Sequence, residues 1–228
     1  MKIYYDHIYG TMEKLDIRCS EILAKYVKPD EELKALDMGF LWHSVEGDYE
    51  LWYNSRSVRV DLKVWQGKRK KPAWNNVKEL KRDDPRWLKM YHSYIKSKDL
   101  YAYPGDDEIH KENKLFGYFD DDDKLIGLSK IREYQGAWET CVFVHDHSIP
   151  HFGRITLNHE LHMAYTLGHK HLYIGGGYEK TCIYKGKLKG FEYFDGEKWQ
   201  KNKETYIKLC QRDSLIHSLQ DLHDVYAN

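Results

Sequence analysis

The sequence predicts an α+β fold, and three observations carry that prediction. An apolar run of strand type at 141–145 is followed by a polar break at 146–151, a helical pattern over 152–167 and a second short apolar run at 172–174. Ahead of it, residues 115–119, 124–132 and 138–145 are separated by turn formers, as three antiparallel strands would be. Nearer the N-terminus, 40–43, 49–53 and 57–65 are short runs rich in aromatic and β-branched residues, parted by Gly47-Asp48 and Asn54-Ser55.

Composition narrows the class of protein. With 228 residues, 41% of them hydrophobic, the chain can form a real core in one large domain or two small ones. Lysine plus arginine equal aspartate plus glutamate at 36 each, so no global field draws the chain to nucleic acid or membrane, and any such contact must be a local patch. Cys19, Cys141, Cys182 and Cys210 are far apart with no C-x-x-C pair, the usage of reduced thiols in a cytosol. No apolar stretch approaches membrane length, and MKIYYDHIYG lacks the apolar core of a signal peptide. A cytoplasmic protein with no membrane partner is expected.

Taken in order, Leu15, Ile17, Ile22 and Leu23 stand at helical intervals, which predicts a helix over 13–26 ended by Pro29-Asp30, then a shorter one over 31–36 before Gly39. In 58–64, valine and leucine alternate with Arg59, Asp61 and Lys63, so that strand is expected to bury one face and present charge on the other. Lys68, Arg69, Lys70 and Lys71, with Lys78, Lys81 and Arg82 close behind and Trp65 and Trp74 interleaved, form a basic and aromatic concentration that suits RNA backbone or plain solvent. Asp84-Pro85 opens a helix to about residue 98, with Trp87, Leu88, Tyr91, Tyr94 and Ile95 on its apolar side. The polar connection 101–113, with Pro104-Gly105, is the expected seam between halves 1–105 and 106–228. Residues 204–226 read as a closing helix.

Two clusters resemble metal sites without meeting their requirements. The acid run 120–123 lacks the glycine and terminal glutamate of a calcium loop and reads as a solvated turn. His159-Glu160-Leu161-His162 places its histidines three apart, whereas the H-E-x-x-H zinc signature needs four. No metal is expected, and both histidines are read as surface residues.

The functional signal lies where the strand at 141–145 gives way to the helix at 152. If this strand and the one at 172–174 diverge, with Gly175, Gly176 and Gly177 freeing the backbone beyond the second, the helix start faces a gap. Backbone N–H groups there can meet an acyl carbonyl. His145-Asp146-His147 stands beside that gap, where a histidine or carboxylate can take a proton from an amine, or simply form hydrogen bonds at a strand end.

At Leu167-Gly168, Leu172-Tyr173-Ile174-Gly175 and Tyr184-Lys185, then Phe191 and the turn at 196–199, the sequence resembles the C-terminal half of arginyl-tRNA-protein transferases and the related bacterial leucyl transferases. Gly39-Phe40, Ser57-Val58-Arg59-Val60 and the basic segment follow the order of that family's N-terminal half. The resemblance implies two acetyltransferase-like (GNAT) halves with mixed central sheets flanked by helices, the second half being catalytic. It implies aminoacyl-tRNA as donor, held in part by Lys68, Arg69, Lys70 and Lys71, a protein or peptide amine as acceptor, and no cofactor. Phe152-Gly153-Arg154-Ile155 keeps only Gly153 of the pyrophosphate loop that coenzyme A users place before this helix. Two departures from the family are the absence of clustered N-terminal cysteines and a shorter 175–184 segment.

In the expected reaction an amine attacks the ester carbonyl of the aminoacyl group and a tRNA 3′ hydroxyl leaves. An α-amino group has a pKa of about 7.7 to 8, so a modest base suffices, and either Asp146 or His145 would serve. Backbone N–H groups near Val144 and Gly153 would hold the oxyanion. Arg154, Tyr173 and Gly175 complete the expected substrate-binding set. Tyr184 would protonate the leaving oxygen, and Lys185 would meet terminal phosphates or a carboxylate. Acyl transfer to a small amine or modified nucleobase, a silent module binding RNA or protein, and a plain coenzyme A acetyltransferase are the alternative readings.

Overall fold

The computed structural model describes the whole chain except residues 8–9, 12–13, 16–19, 55, 67–75, 99–108, 147, 178–179, 217–219, 222–223 and 225–228. Its elements run β1 (Lys2–His7), β2 (Gly10–Thr11), β3 (Lys14–Leu15), β4 (Ser20–Lys25), α1 (Glu32–Asp37), β5 (Leu41–Glu46), β6 (Tyr49–Asn54), β7 (Val58–Asp61) and α2 (Leu62–Trp65). There follow β8 (Val77–Leu80), α3 (Arg86–Lys98), β9 (Asn113–Phe119), β10 (Leu125–Tyr134), β11 (Ala137–His145), α4 (Phe152–Thr166), β12 (His171–Tyr173), a 3-10 segment (Lys180–Lys187), β13 (Phe191–Phe194), β14 (Trp199–Gln200) and α5 (Lys203–Asp213). The α+β expectation is met. The chain divides into two compact units, Met1–Asp61 with Tyr173–Asn228, and Leu62–Leu172. The seam expected at residue 105 lies outside the described residues.

In the first unit, β1-β4-β6-β5 form an antiparallel sheet. Residues 22–25, expected within a helix, belong to an inner strand: Leu23 lies opposite Tyr4 on one side and Tyr53 on the other. Two ladders satisfy this backbone, and pairing overrides the helical spacing of four apolar residues. β7 pairs with β13, not with β6, and stops at Asp61, after which Leu62–Trp65 make one helical turn. Its expected wet face is absent, since Val58, Arg59 and Val60 are all buried. Arg59 tolerates burial because Glu192, opposite it in the register, accepts its Nε–H at 2.7 Å, and Trp199 lies 4.0 Å from the ring centroid to the guanidinium carbon. The closing helix expected over 204–226 is present as α5 but ends at Asp213; its start is capped by Asn202, whose side-chain oxygen accepts from the N–H groups of Glu204 and Thr205.

In the second unit, β9, β10 and β11 form the expected antiparallel trio, and β8 adds to β9. The lysine and glutamate of β8 hid that edge strand inside the basic segment. Helices cover opposite faces, as the two-residue period of β10 requires. Leu128 packs with Trp87 and Tyr91 of α3, whereas the neighbouring Ser129 donates a hydrogen bond to Glu160 of α4. The chain leaves β11, forms α4 and returns in β12 beside β11, the helical connection that neighbouring parallel strands need. No helix among the described residues is long and apolar enough to cross a membrane.

Candidate active site

The end of β11 is built by three features. Lys170 N–H donates to Gly136 O at 2.7 Å, so β12 sets off beside the start of β11. Three residues of β12 rise about 10 Å against about 30 Å for the nine of β11, so β12 accompanies only its first part. Gly127, opposite His145 in the register, lets the start of α4 close in, because a Cβ there would lie 2.5 Å from the Phe152 ring. A side chain at 127 would have to displace the Phe152 ring.

His145 sits where these meet. Tyr94 of α3 and Phe152 of α4 touch its ring at centroid distances of 5.5 and 5.7 Å, and Phe143 stacks on it at 5.3 Å. Its Nδ1 lies 3.0 Å from the Asp146 carbonyl oxygen. A carbonyl only accepts, so in the neutral ring Nδ1 carries the proton and Nε2 carries the lone pair. Nε2 points to the first turn of α4, 3.9 Å from where a Cβ on Gly153 would stand. The Asp146 carboxylate accepts from Ser148 N–H at 2.9 Å and lies 3.7 Å from the Lys124 ammonium. The Ser148 hydrogen bonds, and then the Lys124 charge, hold this carboxyl below the usual range.

The ladder decides which backbone donors remain. Asp146 N–H donates to Ile126 O at 2.8 Å, and Leu128 lies opposite Val144 in the same register. Antiparallel alternation therefore commits the Val144 N–H to Leu128 and turns those of Phe143 and His145 to the other edge of β11. Val144 itself is fully buried. Gly153 stands in the first turn of α4, which has no side-chain cap, and Arg154 is exposed just beyond it.

His145 and Asp146 open on a cavity of about 600 Å³ closed on its other side by α3, with Arg86, Lys89, Met90, Ser93, Tyr94, Ser97, Lys124 and Leu125 completing the wall. Sequence reasoning missed this cationic lining. The residues lie on α3 and the β9–β10 turn, and only the tertiary fold brings them to the end of β11.

Behind α4 lies a buried polar cluster. The Glu160 carboxylate accepts hydrogen bonds from Ser129 Oγ and, at 2.6 Å, from Thr140 Oγ1, tying the helix to β10 and β11. Burial pushes its pKa up, against the lowering by those hydroxyls and that of Tyr118. His159, expected at the surface, is buried against the Tyr118 ring at 5.7 Å, because α4 turns that side to the sheet. Burial, with a smaller contribution from the charge of His162, pushes its pKa from 6.5 down to about 4. The unfolded imidazole therefore binds a proton more readily, so this stability is complete above about 6.5 and is lost as pH falls toward 4. At about 1.36 kcal/mol per unit, discounted for partial exposure, the loss is about 2 kcal/mol. Calorimetry should show the melting temperature falling about 4 to 8 °C further in the wild type than in His159→Gln between pH 6.5 and 4. Parallel slopes would contradict this account.

Of the remaining predicted positions, Tyr173, Gly175, Tyr184 and Lys185 lie in the first unit. Tyr173 is buried, its hydroxyl 3.4 Å from Arg59 Nη1 and its ring 5.8 Å from that of Trp199. Gly175 takes a positive φ of 76° and accepts Val58 N–H through its carbonyl at 2.8 Å. Lys185 is buried, and its ammonium donates to the carbonyls of Ile174 at 2.7 Å and Gly176 at 2.6 Å, pinning the segment around Gly175. Tyr184 is exposed. Lys68, Arg69, Lys70 and Lys71 lie outside the described residues. No group of histidine, cysteine or carboxylate side chains among the described residues is arranged to hold a metal ion.

No family model and no curated protein matches the chain. It is similar to the structure of L-PGS from Bacillus licheniformis, with 11% identity and a TM-score of 0.42 over 78% of this chain and 62% of that one. It is also similar to a conserved protein of unknown function from Enterococcus faecalis V583, described as a probable N-acyltransferase, with 12% identity and a TM-score of 0.39 over 77% of this chain and 39% of that one. A functionally unknown conserved protein from Staphylococcus epidermidis ATCC 12228 matches with 12% identity and a TM-score of 0.43 over 71% and 62%. The chain thus spans 39 to 62% of the length of these structures.

Proposed function

We propose that this chain is a GNAT-like transferase that moves an aminoacyl group from aminoacyl-tRNA to an amine, with the reaction centred on the end of β11. The observation that carries the reading is the orientation of His145. Its Nδ1–H is held by a carbonyl, and its Nε2 faces the uncapped first turn of α4 beside a cavity large enough for a small-molecule group. In this reading His145 works between the cavity, walled by α3, and the backbone donors at the start of α4.

Asp146, kept ionised by Ser148 and Lys124, is a weak base and serves to attract the acceptor as an ammonium. The docked ammonium first releases one proton to solvent, and His145 Nε2 takes a second as the neutral nitrogen attacks the ester carbonyl carbon. The C–N bond forms, the carbon–oxygen ester bond breaks, and the proton passes from His145 to the departing 3′ oxygen. Phe143 N–H, in place of Val144, and Gly153 N–H face the carbonyl oxygen as it gains charge, each donor worth roughly 3 kcal/mol. The basic segment 68–71 supplies the tRNA contact in this reading, and Lys185 acts by holding the backbone around Gly175.

The test is to incubate the protein with radiolabelled total aminoacyl-tRNA and a panel of amines and peptides. Label is expected to move into an acceptor and to form an amide. Label that stays on tRNA with every acceptor, while acetyl-coenzyme A supports acylation, would remove the aminoacyl reading.

A further inference from the structure

We propose that the cavity beside β11 takes a small zwitterionic acceptor, an amine that also carries a carboxylate, in preference to the N-terminus of a peptide. This deepens the transferase reading above and rests on it. A volume of about 600 Å³ is that of a small-molecule site. Its charges divide into an anionic end and a cationic wall. Asp146, with His145 beside it, forms the anionic end and meets the amine. Along α3, Arg86, Lys89 and Ser93 face the same space.

These cations are not equally committed. The Arg86 guanidinium is held in two hydrogen bonds by Asp84, at 2.9 and 2.7 Å, and Lys124 stands 3.7 Å from Asp146. Lys89 has no ion-pair partner among the described residues, and Ser93 lies one turn further along the same helix face. A cation and a hydroxyl at that spacing suit a carboxylate. A peptide acceptor would bring a neutral amide to Lys89 and leave that attraction unused. Met90 and Leu125 lie in the same wall and suit an apolar side chain.

The experiment is titration calorimetry of the full chain with two matched sets. One is L-leucine, isoamylamine and 4-methylpentanoate; the other is L-phenylalanine, phenethylamine and 3-phenylpropionate. In at least one set the amino acid is expected to bind ten-fold or more tightly than both the amine and the acid, and Lys89→Glu should erase its advantage over the amine. Equal binding of amine and amino acid, equal binding of acid and amino acid, or no binding in either set would overturn the proposal. Label moving from aminoacyl-tRNA to peptides without amino acid binding would sink this inference and leave the transferase reading intact. Selective amino acid binding with no label transferred to any acceptor would support the pocket and remove the transfer reaction.

Discussion

Replacing His145 with glutamine should lower label transfer by about 100-fold or more, the contribution expected of a positioned general base. Glutamine keeps a polar side chain of similar reach but has no group that takes a proton near neutrality. The loss should fall on kcat, because the amine is drawn in by Asp146, and Asp146→Asn should in turn raise KM more than it lowers kcat. Melting temperature controls this experiment. The variant is expected to stay folded, with a melting temperature close to that of the wild type, although it loses the His145 ring contacts and a backbone hydrogen bond. A folded His145→Gln protein with wild-type kcat would show that the base lies elsewhere.

Glu160→Ala should destabilise the second unit by about 3 kcal/mol, read as a lower urea midpoint at unchanged slope. The substitution removes the acceptor shared by Ser129 and Thr140 and opens a gap between α4 and the sheet. Glu160→Gln should lose no more than about 1 kcal/mol at acid pH, since an amide oxygen still accepts one of those bonds. The pH dependence has a definite sign. Burial raises the folded pKa of Glu160, so its stabilisation is complete below the unfolded value near 4.5 and declines as pH rises through the folded one. The gap between wild type and Glu160→Gln should therefore narrow or reverse from pH 5 to pH 8. A gap that widens over this range would contradict the assignment of a buried carboxyl with a raised pKa.

The readable parts of the fold were those governed by local chemistry. Asp84-Pro85 marked the start of α3, turn residues separated β9, β10 and β11, and the glycine after residue 167 closed α4 with a positive φ of 81°. The strand-to-helix switch at 145–152 was legible for the same reason. Where local spacing was ambiguous, pairing decided. Ser20–Lys25 became a strand because ladders formed on both of its edges, and Arg59 was buried because Glu192 stood opposite it.

Sequence by itself determined that this chain is an α+β protein with a histidine and an aspartate at a strand end just ahead of a helix. Only the tertiary structure decided which nitrogen of that histidine faces the helix, that Val144 has its N–H in the ladder, and that Lys89 and Ser93 look into the same cavity as Asp146. The physical reason is range. Helix starts and turns are set by neighbours a few residues away, whereas this register joins residues 16 positions apart and this cavity wall residues more than 50 apart, whose relation exists only once the sheet has closed.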